Sequence, residues 1–255
     1  MKKIAIVLIG LMFSIQSYCD YSKNEIQKIN NSLIYDLFMN YELTVKNGNL
    51  STVVDFFPCM NNVNFKNIRL TTNVGGTNQV CNFIFNKNEA IDKLSYEVND
   101  KIFQYDFIYE GSKLTSINIS GKPKISFGYN KNGLLSTITR AKGSDAFEYN
   151  FNYLEGQNKS NIKLIVVQGE KRSPSSREFY ATWNTQFKLE AYSFDIYDCK
   201  NLKYSPKEEL LNFSFTTVND DNNNAKWVYS TMDDKQNWTE RKYKDVTFNR
   251  VIDYN

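Results

Sequence analysis

Three pairs of adjacent acids are the first residues whose type and spacing could do chemistry: Glu208-Glu209, Asp220-Asp221 and Asp233-Asp234. Paired carboxylates can serve as acid and base in hydrolysis, or offer oxygen ligands to calcium. None of the pairs falls on an EF-hand spacing, and acidic loops of this kind are usually just solvated. The chain contains no histidine. Ser-His-Asp and Cys-His catalysis, and histidine metal sites, are therefore excluded within it. There is no Gly-rich phosphate loop and no CxxC pair. On this reading the catalytic, cofactor-binding and metal residues are none, and no cofactor is expected. Trp183, Trp227 and Trp238, among 17 tyrosines, form a possible binding surface on which a glycan could stack. Core packing of the same rings is the competing reading. Lys171-Arg172 and Arg241-Lys242 read as exposed charges.

Cysteine chemistry depends on the compartment, and the first 19 residues bear on that. Met1-Lys2-Lys3 is basic, and the run from Ile4 to Ile15 is almost wholly apolar. The run is too short to cross a membrane and fits a signal-peptide core, with Ser17 and Cys19 before the cut. The expectation is export, to the periplasm or the medium. The alternative is a lipid anchor on Cys19, which the preceding Gln16-Ser17-Tyr18 does not favour. An oxidising destination permits disulfides. Cys59 and Cys81 bracket a turn-rich stretch containing Gly75-Gly76, and they are the candidate pair, leaving Cys199 over. Three unpaired buried thiols would fit the spacing too.

Removing Lys2 and Lys3 from 31 basic residues leaves 29 against 28 acidic, a net charge of +1. That is no electrostatic footprint for nucleic acid. The composition, 41% hydrophobic with 15% aromatic and only 4 prolines, suits strands that bury one face and wet the other.

The elements that must position these residues follow from periodicity. Over residues 22–46, Ile26, Ile29, Leu33, Leu37 and Tyr41 recur at three- and four-residue steps. Ser22 and Glu25 have the spacing of a capping box, and Asn47-Gly48 supplies a stop. The apolar stripe is expected to pack on the protein's own sheet. Val53 to Phe57 is a short apolar run, and residues 61–80 read as loops with one weak strand. From Cys81 the period-two pattern becomes dense. It is cleanest where Phe147, Tyr149, Phe151 and Tyr153 alternate with polar residues, with 162–167 as the return strand. Residues 171–177, with Pro174, read as a polar break. Residues 205–211 read as a short helical turn, and 219–224 as a loop. The expected organisation is a signal peptide at 1–19, a helical segment at 20–50 and one antiparallel β domain at 51–255.

Within that domain a hairpin unit recurs. Phe107-Ile-Tyr-Glu-Gly-Ser-Lys-Leu-Thr-Ser-Ile117 is followed by Phe127-Gly-Tyr-Asn-Lys-Asn-Gly-Leu-Leu-Ser-Thr-Ile138. Residues 83–96 and 229–243 carry degenerate copies. Asn132-Gly133 is a strong turn signal, read as a hairpin with positive φ at both residues. Tyr129-Asn130, Asn132-Gly133, Leu135 and Ile138 resemble the unit of bacterial YD-repeat (Rhs-type) proteins. Asp233-Asp-Lys-Gln-Asn-Trp-Thr-Glu-Arg241 is similar to a variant of that unit, with Gln236 where glycine is usual. The resemblance implies a repeated β architecture. It does not carry over the toxin enclosure of the long family members.

The fold class expected is mainly β: a large curved antiparallel meander of repeated hairpins after one N-terminal α-helix. Such a sheet would offer two edges and a concave face to an extended peptide or an apolar ligand. The function that follows is an exported, non-catalytic β-repeat protein that binds a protein or glycan partner at the cell envelope. The alternatives are an envelope immunity protein that neutralises a toxin, and a carboxylate-dependent hydrolase.

Overall fold

The computed structural model describes residues 21–47 and 65–255, apart from short stretches at 75, 121, 143, 155, 195–196, 206–209, 218–219, 227 and 244–245. The expected signal peptide, Cys19, Val53–Phe57, Cys59 and Trp227 lie outside the described residues. No described helix is long and apolar enough to cross a membrane.

The helical pattern forms where the spacing places it. Helix α1 spans Lys23–Asn31, a π-helical segment spans Ser32–Met39, and α2 spans Asn40–Asn47. The capping box is made: the Ser22 N–H donates to the Glu25 carboxylate at 2.6 Å, and the Glu25 N–H donates to Ser22 Oγ at 3.3 Å. Nothing in the apolar spacing announces the π register. Its consequence is visible in burial, since Leu33, Ile34, Tyr35, Leu37, Phe38 and Met39 are all buried. A helix apolar nearly all round must be surrounded, and this one is.

Strands surround it. In order they are β1 Phe65–Val74, β2 Thr77–Phe85, β3 Ile91–Val98, β4 Lys101–Glu110, β5 Lys113–Ile119, β6 Lys122–Tyr129, β7 Leu135–Lys142, β8 Asp145–Tyr153 and β9 Lys159–Gln168. They continue with β10 Lys171–Trp183, β11 Leu189–Phe194, β12 Tyr197–Tyr204, β13 Leu210–Thr217, β14 Asp220–Lys226, β15 Val228–Met232, β16 Trp238–Tyr243 and β17 Val246–Tyr254. Each pairs antiparallel with its neighbour in sequence from β1 to β14 and from β15 to β17. β17 then pairs with β1, with Leu70 opposite Arg250 and Ile68 opposite Ile252. β14 and β15 are one residue apart. The first pairs with β13 and the second with β16. The meander thus curls into a nearly closed barrel, its last strand paired with its first.

Closure corrects several expectations. The first and last strands of the meander are not free edges, because β17 meets β1, and the concave side is filled by the helix. Residues 61–80 hold two long strands rather than one weak one. The break at 171–177 is part of β10, with a bulge between Pro174 and Glu178 absorbing the irregularity. The loop at 219–224 falls mostly in β14, where pairing to β13 overrides a composition of Asp and Asn. Leu210, placed in a helical turn by the sequence, begins β13.

The wall sorts its side chains by the pleat. One inward row runs Ile68, Phe83, Leu94, Tyr105 and Ile119 across β1 to β5, all buried. The adjacent outward row runs Asn67, Ile84, Lys93, Asp106 and Asn118. The exposed apolar residues, such as Ile84, Ile102 and Val251, stand singly between polar neighbours. Ile102, for example, follows Thr71, Val80 and Glu97 in its row.

The two ends of the barrel differ. At one, successive strands are joined by two residues, as at Val98/Lys101 and Gln168/Lys171. Asn99 and Asp100 have φ 51° and 59° there, the type I′ geometry. At the other end five-residue links predominate, and we call it the clamped end.

Candidate functional site

The clamped end is built from one turn used repeatedly. Asn130 shows its logic. The Asn130 N–H donates to the Leu134 carbonyl at 2.9 Å, and the Gly133 N–H donates to the Asn130 carbonyl at 2.9 Å. The Asn130 side-chain oxygen accepts from the Asn132 and Leu134 amides at 3.0 and 3.1 Å. Asn86, Asn184 and Asp233 make the same four bonds in their own loops. The fourth residue takes positive φ each time: Glu89 60°, Gly133 84°, Phe187 62° and Gln236 63°. Asn132 is not among the positive-φ residues, which corrects the expected turn. A side-chain acceptor two residues upstream lets a longer loop replace the two-residue one.

Tyrosines stitch these hairpins together. Tyr109 donates to the Ile91 carbonyl at 2.9 Å, Tyr129 to Leu114 at 2.8 Å and Tyr153 to Leu135 at 2.8 Å. Tyr229 donates likewise to Leu210. In the first three a hydroxyl reaches back to the start of the preceding strand, and Tyr229 on β15 reaches the start of β13. The recurring Tyr and Asn of the sequence unit are therefore a ladder and a clamp.

The helix is fastened to this end. The Asn30 amide donates to the Gly133 carbonyl at 2.9 Å, and its oxygen accepts from the Leu135 N–H at 2.8 Å. Tyr21 meets the Phe187 ring edge-on at 5.7 Å. Deeper in the barrel Phe38 contacts Phe127, Tyr149 and Phe194 edge-on. Glu42, fully buried, pairs with Arg140 at 3.2 Å.

Between α1 and the turns at 111–112 and 130–134 lies a cleft of about 500 Å³. Tyr35, Tyr109 and Tyr129 line it, with Ile26, Ile34 and Leu114 beside them. Its lysines are Lys23, Lys113 and Lys131, all exposed, and no Asp or Glu is among its lining residues. Lys113 Nζ stands 5.6 Å from the Tyr129 ring centroid. The Tyr35 and Tyr109 hydroxyls are 2.9 Å apart. Burial pushes the Tyr109 phenol up to about 12, with Asp92 adding to the shift and the bond from Tyr35 opposing it. Tyr35 and Tyr129 are displaced upward for the same leading reason. All three are neutral at ordinary pH. A second hollow, about 370 Å³, sits at the β10 bulge and includes both Arg177 and Glu178.

The residues singled out by sequence lie elsewhere. Trp183 and Trp238 are buried, 3% exposed each, so they do not form the expected binding surface. Trp238 is instead flanked by the buried Arg250, 4.0 Å from the ring centroid, and Arg241, at 4.5 Å. Asp233 is a turn clamp whose other oxygen accepts from Tyr254. Gly133 and Asn132, expected as a structural turn, line the cleft. Cys81 and Cys199 are buried thiols, and burial pushes Cys199 up to about 12 and Cys81 upward. Such thiols are unreactive. Sequence reasoning missed the cleft because its lysines and tyrosines come from three separated segments. The signal that could have found it was Lys at 113 and 131, beside both copies of the unit.

The protein is thus a mainly β, nearly closed antiparallel barrel with an apolar lumen that holds its own N-terminal helix. No family model matches the sequence, and no curated protein does. Among solved structures, it is similar to a porin-like protein from Bacteroides uniformis ATCC 8492, with TM-score 0.49 and 13% identity over 74% of this chain and 98% of that one. A likeness at that level says nothing of what this chain binds or conducts.

Proposed function

We propose that this chain is an exported, non-catalytic binding protein that works in water at the bacterial envelope and takes its ligand at the clamped end. The observation that carries this reading is the polarity of the wall. A membrane barrel turns an apolar band outward and a polar lumen inward. Here the outward rows are polar and charged, and the lumen is apolar and occupied by the helix. A lipid-facing wall of that composition would leave charges such as Lys93 and Asp106 in hydrocarbon. The basic start and apolar run of residues 1–19 support export. The recurring clamp and tyrosine ladder support reading the hairpins as YD-type units used here as a scaffold.

Two measurements test it. Osmotic shock of the native host, or analysis of its medium, should release the protein without detergent. Recovery only from a detergent-extracted outer-membrane fraction, or conductance steps in a planar bilayer, would overturn the reading. A photo-crosslinking residue at position 131, on the clamped end, should give a discrete adduct in living cells, while one at position 170, on the opposite end, should not. Equal labelling at both positions, or none at either, would overturn the placement of the site.

A further inference from the structure

The cleft at the clamped end has a chemistry of its own, and naming its class of ligand rests on the binding reading and deepens it. Its volume, about 500 Å³, is in the range of small-molecule sites. Charge does not choose the ligand. Lys113 faces Glu110 across the β4–β5 hairpin, and Lys131 is already engaged within the protein. Lys23 stands exposed in the first turn of α1, where a single ammonium in water contributes little.

The floor of the cleft is aromatic, and its phenol protons are committed. Tyr109 donates to the Ile91 carbonyl, so the hydrogen bond between its hydroxyl and that of Tyr35 is donated by Tyr35. Tyr129 donates to the Leu114 carbonyl. Tyr109 and Tyr129 are half-buried, and what they offer a ligand is ring surface rather than a donor.

Hydrogen bonding falls to neutral side chains around that floor. Gln27 and Asn31 come from α1, Ser112 from the β4–β5 turn and Asn132 from the turn after β6. The Asn30 amide is occupied on both sides by the backbone at Gly133 and Leu135. Among the described residues, by contrast, none bonds to the side chains of Gln27, Asn31, Ser112 or Asn132. Each amide carries donors and an acceptor, and the serine hydroxyl is both at once. The positions are held, since Asn30 ties α1 to the 130–134 turn and the ladder ties the turns to the wall. A site preformed in this way binds with little reorganisation.

A pyranose ring matches this arrangement. One of its faces is made of C–H bonds, which pack on an aromatic ring, and its rim is made of hydroxyls that donate and accept together. A planar aromatic ligand would use the floor and leave the amides unused. An anion would need ammonium groups that the protein has already answered.

We infer that this cleft binds an uncharged sugar ring of a glycan, with its C–H face against Tyr109 and Tyr129 and its hydroxyls among Gln27, Asn31, Ser112 and Asn132.

The test uses the mature full-length protein and calorimetric titration with chitotriose, cellotriose, maltotriose, trigalacturonate and benzyl alcohol. At least one of the three uncharged sugars should bind saturably. Trigalacturonate, which adds carboxylates, and benzyl alcohol, which has a ring but a single hydroxyl, should each bind at least tenfold more weakly than that sugar. The Gln27→Ala/Asn132→Ala double variant should lose at least fivefold in affinity with an unchanged melting temperature, both side chains being exposed. In NMR spectra of the parent protein, the side-chain amide signals of Gln27, Asn31 and Asn132 should move with saturation, while that of Asn99, at the opposite end, should not. Trigalacturonate binding as tightly as the best sugar would overturn the uncharged class. Benzyl alcohol binding as tightly would remove the amide rim from the site, and the sugar with it. Undiminished binding by the double variant, or movement at Asn99 instead, would place the sugar elsewhere and overturn the site. If no sugar binds, the sugar class is wrong, and the binding reading is then decided separately by the crosslinks at position 131.

Discussion

The two ends of this barrel solve the same problem, turning the chain round, in different ways. At one end two residues suffice, and Asn99-Asp100 does it with backbone geometry alone. At the other, five-residue loops built on Asn86, Asn130, Asn184 and Asp233 use a side chain to hold the backbone. The longer solution projects amides, carbonyls and side chains over the lumen, and there the helix and the cleft are found. The difference teaches that the repeated unit is a device for making a presenting surface, not merely a way to reverse direction.

The largest effect that could break this comparison is alkaline. The ladder of the clamped end depends on phenols that remain protonated in the fold. A tyrosine ionises near pH 10 in an unfolded chain, whereas Tyr109 is held up to about 12. Tyr129 and Tyr153 shift the same way, chiefly through burial. The unfolded state therefore loses protons first. The stability these groups supply is complete below about pH 10 and declines as pH rises toward 12. Phenolate absorbance and circular dichroism should change together in that window. Titration of these tyrosines at pH 10 with the fold intact would show the ladder to be solvated.

Next is the helix that the clamped end holds. Phe38 is fully buried against three rings, so Phe38→Ala should cost about 3–5 kcal/mol in chemical denaturation. Ile102→Ala, on the outer wall, should stay within about 0.5 kcal/mol. Similar costs for both would mean that the helix does not fill the lumen. Asn30→Ala should cost about 2–3 kcal/mol, since it strands the Gly133 carbonyl and the Leu135 amide. Hydrogen exchange should quicken at Leu135 well before it does at the Asn99-Asp100 turn.

Smaller effects sharpen the clamp itself. Gly133→Val should cost more than about 1 kcal/mol, because φ 84° disfavours a branched side chain. Lys131→Val in the same loop is the control for added apolar surface. The smallest expected change is a gain. Gln236 holds φ 63° where Gly133 holds 84°, and Gln236→Gly should raise stability by about 0.5–1 kcal/mol. No gain there would mean that the Asp233 loop is not equivalent to the Asn130 loop.

Some of this was written in the order of residues. The capping box at Ser22 and Glu25, the helix that follows it, and the alternation of 147–153 are local. Each depends on groups within a few residues of one another, and such patterns survive in the sequence. The Tyr–Asn–Gly unit marked the turns, although not their type, because one acceptor oxygen on Asn130 chooses between a two-residue and a five-residue loop. The misread segments had poor local signals. Asp220–Lys226 pairs because β13 lies beside it, and Pro174 is carried by a bulge in β10.

Closure of the barrel was decided only in three dimensions. The pairing of β1 with β17 joins the first strand to the last, and no periodicity records it. The same is true of the lumen. An apolar stripe on 22–46 says that the helix must be covered, but only the ring of strands says that it is covered on nearly every side. Trp183 and Trp238 look like a ligand surface in sequence and become core for that reason. The cleft is decided last of all. Lys113 and Lys131 stand beside the two copies of the unit, but nothing along the chain couples Lys23 to them; it joins the cleft because Asn30 fastens a helix end to a turn more than a hundred residues away.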